Sequence, residues 1–209
     1  MLIQGQVGPI SAQSLGAGSN PNVRLGQQGD LIATELHGRY YETNYRRALF
    51  NASSTAAATT SAGTTTSFTG LMVYNPLNSP VNLVINKVGY AFIVAFGSAA
   101  AYGVMTGFST TPISTFSTSN TSTKSQYVGA AQGYGVAYAS ATLTATPIVN
   151  TVFGSGLTGA ITTVPSVPLL YDLEGSVIVP PGGYVCSYTS SASGASAFFG
   201  SFQWEEVPV

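Results

Sequence analysis

Residues 81–96 keep a period of two that only an extended chain can use. Strand side chains alternate between faces, and Val81, Leu83 and Ile85 fall on one of them. From Val88 the alternation sharpens: Val88, Tyr90, Phe92, Val94 and Phe96 share one face, and Gly89, Ala91 and Ala95 the other. A ladder with large residues outward and small ones inward suits a strand held between two packed layers. Residues 88–105 are uncharged and long enough to span a bilayer. Their period, with Gly89, Gly97, Ser98 and Gly103, fits strands and not a membrane helix. Upstream, residues 68–74 read as a partner strand. The link Asn75-Pro76-Leu77-Asn78-Ser79-Pro80 reads as a tight connection, because proline presets φ and Asn and Ser side chains bond nearby backbone. Together the two strands read as a hairpin.

Charge is the second constraint. The 209 residues include 6 Lys and Arg and 7 Asp and Glu, so charged residues make up 6% of the chain. Ordinary soluble domains carry roughly 25%. Ser, Thr, Gly, Asn and Gln stand in for the missing charges, because apolar content, at 44%, is ordinary. A lone soluble subunit usually carries more charge to stay dispersed, so the chain is expected to cover much of its surface with copies of itself or with a larger body. The net charge of −1 offers no basic field for nucleic acid. Cys186 is the sole cysteine, which excludes a disulfide framework and a thiolate metal cluster. The start, Met1-Leu-Ile-Gln-Gly-Gln-Val-Gly-Pro, lacks the basic and continuous apolar regions of a secretory signal. No membrane partner is expected, whether through a helix or through an outer-membrane barrel.

Residues 1–28 read as an extended arm or as a first strand with a loop. Residues 24–47 then hold seven of the charged residues. Ile32, Leu36 and Tyr40 are four apart, as are Tyr45 and Leu49, and Asp30 could cap a helix. Gly38 and the paired tyrosines favour extended chain with one helical turn. The signs nearly balance, so directional pairing with a neighbouring subunit is one reading, and Arg39, Arg46 and Arg47 can fork onto carboxylates or carbonyls. A solvated loop with weak pairs is the other. The expected assembly interface comprises Arg24, Glu35, His37, Arg39, Tyr40, Tyr41, Glu42, Arg46 and Arg47, with Trp204 as an aromatic anchor in the core or at a subunit contact. The domain division expected is an arm and charged segment over residues 1–50 and a β-sandwich over 51–209.

Residues 51–69 are Ser, Thr and Ala-rich, a loop or polar edge strand. Residues 106–125 read as a further Ser/Thr loop, and alternation resumes over 126–146, with Tyr134, Val136 and Tyr138 on one face. A short strand follows over 146–153. Gly154-Ser-Gly-Leu-Thr-Gly159 matches a dinucleotide fingerprint, but Pro165, Pro168 and β-branched residues follow where a helix must open, so a hairpin turn is expected. Two short strands flank Glu174-Gly175. Pro180-Pro-Gly-Gly183 predicts a type II turn, with Pro181 at the first corner and Gly182 at positive φ. A return strand over 184–188 and a closing strand over 197–206 complete the count, with Phe198, Phe202 and Trp204 on one face. Eight to ten strands and no convincing helix predict an all-β, two-sheet antiparallel sandwich, jelly-roll-like, with an extended N-terminal arm.

Catalytic patterns are absent. His37 is the sole histidine, and no nucleophile elbow accompanies it. His37 with Glu35 supplies two of the three or four ligands a metal site needs. Asp172, Glu174, Glu205 and Glu206 could supply a carboxylate pair for glycoside hydrolysis, though acids at a turn and a chain end are usually solvated. No enzyme activity, cofactor or metal is expected.

Val177-Ile-Val-Pro-Pro-Gly-Gly-Tyr-Val, the closing Phe-Phe-Gly-Ser-Phe-Gln-Trp-Glu-Glu-Val-Pro, and Glu35-Leu-His-Gly-Arg-Tyr-Tyr-Glu42 together resemble accessory structural proteins of tailed bacteriophage particles. The resemblance implies a non-enzymatic virion subunit, assembled in the host cytoplasm, that decorates or cements a capsid. Its partners would be its own copies, as a homotrimer, and the major capsid protein. A receptor- or glycan-binding domain of a tail or head fibre is the alternative, with Tyr127, Tyr134 and Tyr138 stacking on sugars.

Overall fold

The computed structural model describes residues 38–94, 96–113, 115–156 and 169–209, and two short strands, β1 (Gly5–Gln6) and β2 (Val23–Arg24). The chain forms two compact units, residues 1–41 and 42–209. In the first, β1 and β2 pair in parallel, Gly5 opposite Val23 and Gln6 opposite Arg24. The rest of the expected arm and the first part of the charged segment, with Asp30, Glu35 and His37, lie outside the described residues. The single helical turn expected in the charged segment is α1 (Tyr41–Tyr45).

The second unit is a two-sheet antiparallel sandwich. Its strands are β3 (Leu49–Ser54), β4 (Ser67–Tyr74), β5 (Val81–Phe92), β6 (Ala100–Phe108), β7 (Thr115–Ser117), β8 (Thr121–Ser125), β9 (Val136–Thr142), β10 (Ile148–Gly156), β11 (Leu169–Val179), β12 (Gly183–Thr189) and β13 (Phe198–Pro208). One sheet has the order β10-β6-β12-β4-β9-β7 and the other β11-β5-β13-β3-β8. Four antiparallel pairs are nested in sequence: β3 with β13, β4 with β12, β5 with β11, and β6 with β10. Successive pairs alternate between the sheets, and β5–β13 and β6–β12 contacts join them side by side. One long hairpin rolled over itself gives this pattern, which is the jelly roll. Strands β7, β8 and β9 are an insertion between β6 and β10 that widens both sheets at the β3–β4 end.

Several expectations change. Strands β4 and β5 lie in different sheets, so residues 75–80 form a corner and not a hairpin. Asn75 is wholly buried there. Its Nδ2 donates to Val81 O at 2.7 Å and to Val179 O at 3.0 Å. Its backbone N–H donates to Gly183 O and its carbonyl accepts from Gly182 N. One residue therefore ties the β4–β5 corner to the β11–β12 turn, where Gly182 has φ +86° and Gly183 N–H donates to Pro180 O at 2.8 Å. That turn is the one Pro180-Pro-Gly-Gly183 predicts.

Strand β3, taken for a loop or polar edge, is interior, paired with β13 on one side and β8 on the other. Leu49 and Phe50 are buried in it, so the expected boundary between residues 50 and 51 falls inside a strand. Residues 106–125, taken for a loop, supply the end of β6 and the whole of β7 and β8. Of the turn expected over residues 154–159, Gly154-Ser155-Gly156 belong to β10, with Gly156 opposite Ala100, and residues 157–159 lie outside the described residues.

The long ladder of β5 is inverted relative to its expected sense. Leu83, Ile85, Val88 and Tyr90 point into the core, and Ala91 is exposed. The strand ends at Phe92, and Phe96, beyond a bend, packs its ring on Phe92 at 4.7 Å. The core-facing set moves from odd to even positions because of a bulge: Trp204 pairs with Ile85 but Gln203 pairs with Lys87, which leaves Asn86 as the extra residue. Across the sheet, β11 carries its own irregularity between Asp172 and Val177, with Glu174 at φ 50° and Gly175 at φ 80°.

The strands covered on both faces belong to the six-stranded sheet. Leu71 and Val73 of β4 and Val185 of β12 join the core between the sheets, with Phe198, Phe202 and Trp204 of β13. Met72, Tyr74, Tyr184 and Cys186 point the other way, into a second cluster roofed by Ile113 and Leu143. This double burial accounts for the unbroken apolar runs at residues 71–74 and 184–186, since a strand with two buried faces needs no polar alternation. Each large side chain so buried contributes roughly 1.5–3 kcal/mol of transfer free energy.

Candidate functional site: a cleft at the sandwich end

The charged segment ends with α1 and Arg47, just before β3. Glu42 and Arg46 lie one turn apart and form an ion pair at 2.8 Å, with Arg46 Nε also donating to Glu42 Oε1. Both are exposed, so the pair is worth a few tenths of a kcal/mol. Arg47 ends the turn in the left-handed region, at φ 61°. Its guanidinium sits over the ring of Tyr127, 5.2 Å from the centroid. In the first unit, Arg39 packs over Tyr40 in the same manner, at 5.5 Å. Tyr41 is exposed. Arg24 appears only as backbone of β2, and the side chains of Glu35 and His37 lie outside the described residues.

Trp204 is core. It is wholly buried, packs on Phe50 with ring centroids 6.2 Å apart, and donates Nε1–H to Glu206 Oε1. Its ring therefore presents nothing to a neighbouring subunit.

Beside Arg47 opens a cleft of about 330 Å³. It is lined by Phe50 and Val81 and, across from Arg47, by residues 130–134 of the loop of residues 126–135. That loop is fixed at both ends. Gln126 N–H donates to Leu49 O at 2.9 Å, and Asn44 Nδ2 donates to Gln126 O. At the other end, Tyr134 N–H and Gly135 N–H donate to the two carboxylate oxygens of Glu206 at 3.1 and 2.9 Å. The close approach needs glycine on either side of Tyr134. A Cβ at Gly133 would lie 2.3 Å from Glu206 Oε1, and one at Gly135 would lie 2.9 Å from Trp204. Tyr134 is thereby turned outward and is 53% exposed.

Of the three tyrosines expected at a sugar contact, Tyr134 lines the cleft, Tyr127 stacks on Arg47, and Tyr138 does neither. Tyr138 is buried, between Phe116 at 4.5 Å and Tyr74 at 6.2 Å. The four candidate carboxylates do not converge. Asp172 Oδ1 accepts Glu174 N–H within the β11 bulge, Glu205 and Glu206 project to opposite faces of β13, and Glu206 alone lines the cleft. Among the described residues no three His, Cys, Asp or Glu side chains group to hold a metal, and no helix is long and apolar enough to cross a membrane. Burial pushes the Cys186 thiol well up, which keeps it protonated. Burial, with Cys186 adding, pushes the Tyr184 phenol up to about 12.

A second surface has no counterpart among the expected residues. Strands β10 and β11 are the edges of the two sheets, and they meet through a ring stack of Phe153 on Tyr171 at 4.3 Å. On β10, Ile148 and Val152 are 74% and 53% exposed, and on β11, Leu170 and Ile178 are 69% and 59% exposed. The only charges on the two strands are Asp172 and Glu174. Isolated exposed apolar residues are normal, but several on two strands that are sheet edges among the described residues offer apolar area for contact. In the sequence the signal of this surface is Leu169-Leu170-Tyr171 and Ile178, which alternation alone marks only as strand.

No protein-family model matches the chain, and neither a curated protein nor a solved structure matches it.

Proposed function

We propose that the chain is a non-enzymatic structural subunit of a virion, a decoration or cement protein that binds the capsid shell and its own copies, as a trimer. The observation that carries the proposal is the β10–β11 edge. Burying its exposed aliphatic side chains against a second surface releases about 25 cal/mol per Å² of apolar area. Strand β10 is an edge of its sheet among the described residues, and such an edge can extend a neighbouring sheet by strand addition. Little of this adhesion is Coulombic, because the two strands carry only Asp172 and Glu174. It therefore tolerates salt, which screens exposed charges beyond about 10 Å at 0.1 M. The resemblance to tailed-phage accessory proteins, carried by the Pro180-Pro-Gly-Gly183 turn and the closing β13 sequence, directs the choice of partner to a capsid.

Mass spectrometry of particles purified from the native host tests the proposal. The expected result is the chain in a fixed ratio to the major shell protein, retained after a wash at about 1 M salt. Its absence from the particles, or its release by moderate salt, would overturn the proposal.

A further inference from the structure

We infer that the cleft between Arg47 and the loop of residues 126–135 binds a carboxylate-bearing sugar. The inference goes beyond the assembly reading and does not depend on it. The volume of about 330 Å³ is at the small end of ligand pockets, which span about 300–1,000 Å³, and suits one monosaccharide unit of a glycan. The chemistry around it is mixed in the way a sugar requires. A sugar ring has an apolar face of C–H groups and a rim of hydroxyls, and the outward ring of Tyr134 offers the apolar face a platform. Gln132 lines the cleft with an amide that can both donate and accept. Glu206 accepts from Tyr134 N–H, Gly135 N–H and Trp204 Nε1–H. A carboxylate has about four acceptor positions, so one is left for a hydroxyl, and the three donors offset its charge.

Arg47 selects the acid. Among the described residues no carboxylate pairs with it, and its guanidinium is held in place by the Tyr127 ring. Stacking on an aromatic face leaves the N–H edges of the fork free, and a planar carboxylate matches that fork with two parallel bonds. Both walls are set before any ligand arrives. Arg47 sits in a left-handed backbone conformation at the end of α1, and the opposing loop is tied down at Gln126 and at Tyr134 and Gly135. Little ordering remains to oppose binding.

The test is calorimetric titration of the full chain with D-glucuronate and N-acetylneuraminate, with glucose as the neutral comparison. At least one acid should bind saturably and more tightly than glucose. Arg47→Ala should weaken that binding roughly tenfold or more, the loss expected for a charged hydrogen-bonding group. Arg47→Lys, which keeps the charge without the fork, should recover part of it, and Tyr134→Ala should weaken acid and neutral sugars alike. Arg47 and Tyr134 are exposed, so the variants should keep the circular dichroism of the parent. Saturable binding of neither acid, equal binding of glucose, or acid binding unchanged in Arg47→Ala would each overturn the inference.

Discussion

Trp204→Ala lowers the stability of the sandwich by about 3–5 kcal/mol, the range for removing a large aromatic side chain from a packed core. Three losses combine. The ring is wholly buried, so its transfer free energy is lost and a cavity is left against Phe50, its neighbour at 6.2 Å. The bulge at Asn86 sets Trp204 opposite Ile85, so a strand-to-strand contact in the middle of the sheet goes as well. The Nε1–H bond to Glu206 is also lost, which loosens the carboxylate that holds Tyr134 and Gly135. Urea denaturation followed by far-UV circular dichroism measures the loss. Trp204→Phe should recover more than half of it, because a six-membered ring refills most of the space. A loss below about 1 kcal/mol for the alanine variant would place the ring at the surface.

Asn75→Ala costs about 2–4 kcal/mol, although it removes only a small polar side chain. The amide donates to carbonyls of two strands, Val81 O on β5 and Val179 O on β11. Val179 O loses this donor and Val81 O keeps only the longer bond from Ser79 Oγ at 3.3 Å, and a buried acceptor left without its donor costs about 1–3 kcal/mol. Both corners of the roll lose their common tie. Asn75→Asp is the sharper variant, because it sets a carboxylate against two carbonyl oxygens. The ionised form is disfavoured in the fold both by burial and by those dipoles, so the folded pKa lies above the unfolded one. Stability of this variant is then greatest below pH about 4 and falls as pH rises toward the folded pKa. Emission of Trp204, the sole tryptophan, follows unfolding at each pH. A pH-independent loss equal to that of the alanine variant would mean that the amide donates to neither carbonyl.

Strand β5 could be read from the chain because burial on one face forces a period of two, and even its bulge left a trace. Val81, Leu83 and Ile85 are odd-numbered, Val88 and Tyr90 are even, and Asn86 between them is the extra residue. The turn at residues 180–183 could be read because proline and glycine restrict φ in opposite senses. Strands β7 and β8 could not. They are short runs of Ser and Thr held by backbone pairing with neighbours, and a ladder hydrogen bond leaves no mark on side-chain pattern. The corner at residues 75–80 was mistaken for a hairpin because its composition fits both. What decides is that β12, more than a hundred residues downstream, pairs with β4 in place of β5. The cleft was hidden for the same reason. Tyr127 and Tyr134 were named as sugar contacts and Arg47 as an assembly residue. Only the β3–β8 pairing, with Phe50 opposite Ser125, carries the loop that follows β8 back to the end of the charged segment.

Only 6% of the residues are charged, and the edge strands β10 and β11 expose Ile148, Val152, Leu170 and Ile178 with Asp172 and Glu174 as their only charges. Sedimentation velocity of the purified chain across a hundredfold range of concentration tests the sharing of these surfaces between copies most directly, at about 0.15 and about 1 M salt. The expected species has a mass several times the 21.4 kDa of one chain, and it persists at the higher salt. A single 21.4 kDa species at every concentration and both salts, soluble throughout, would contradict the claim.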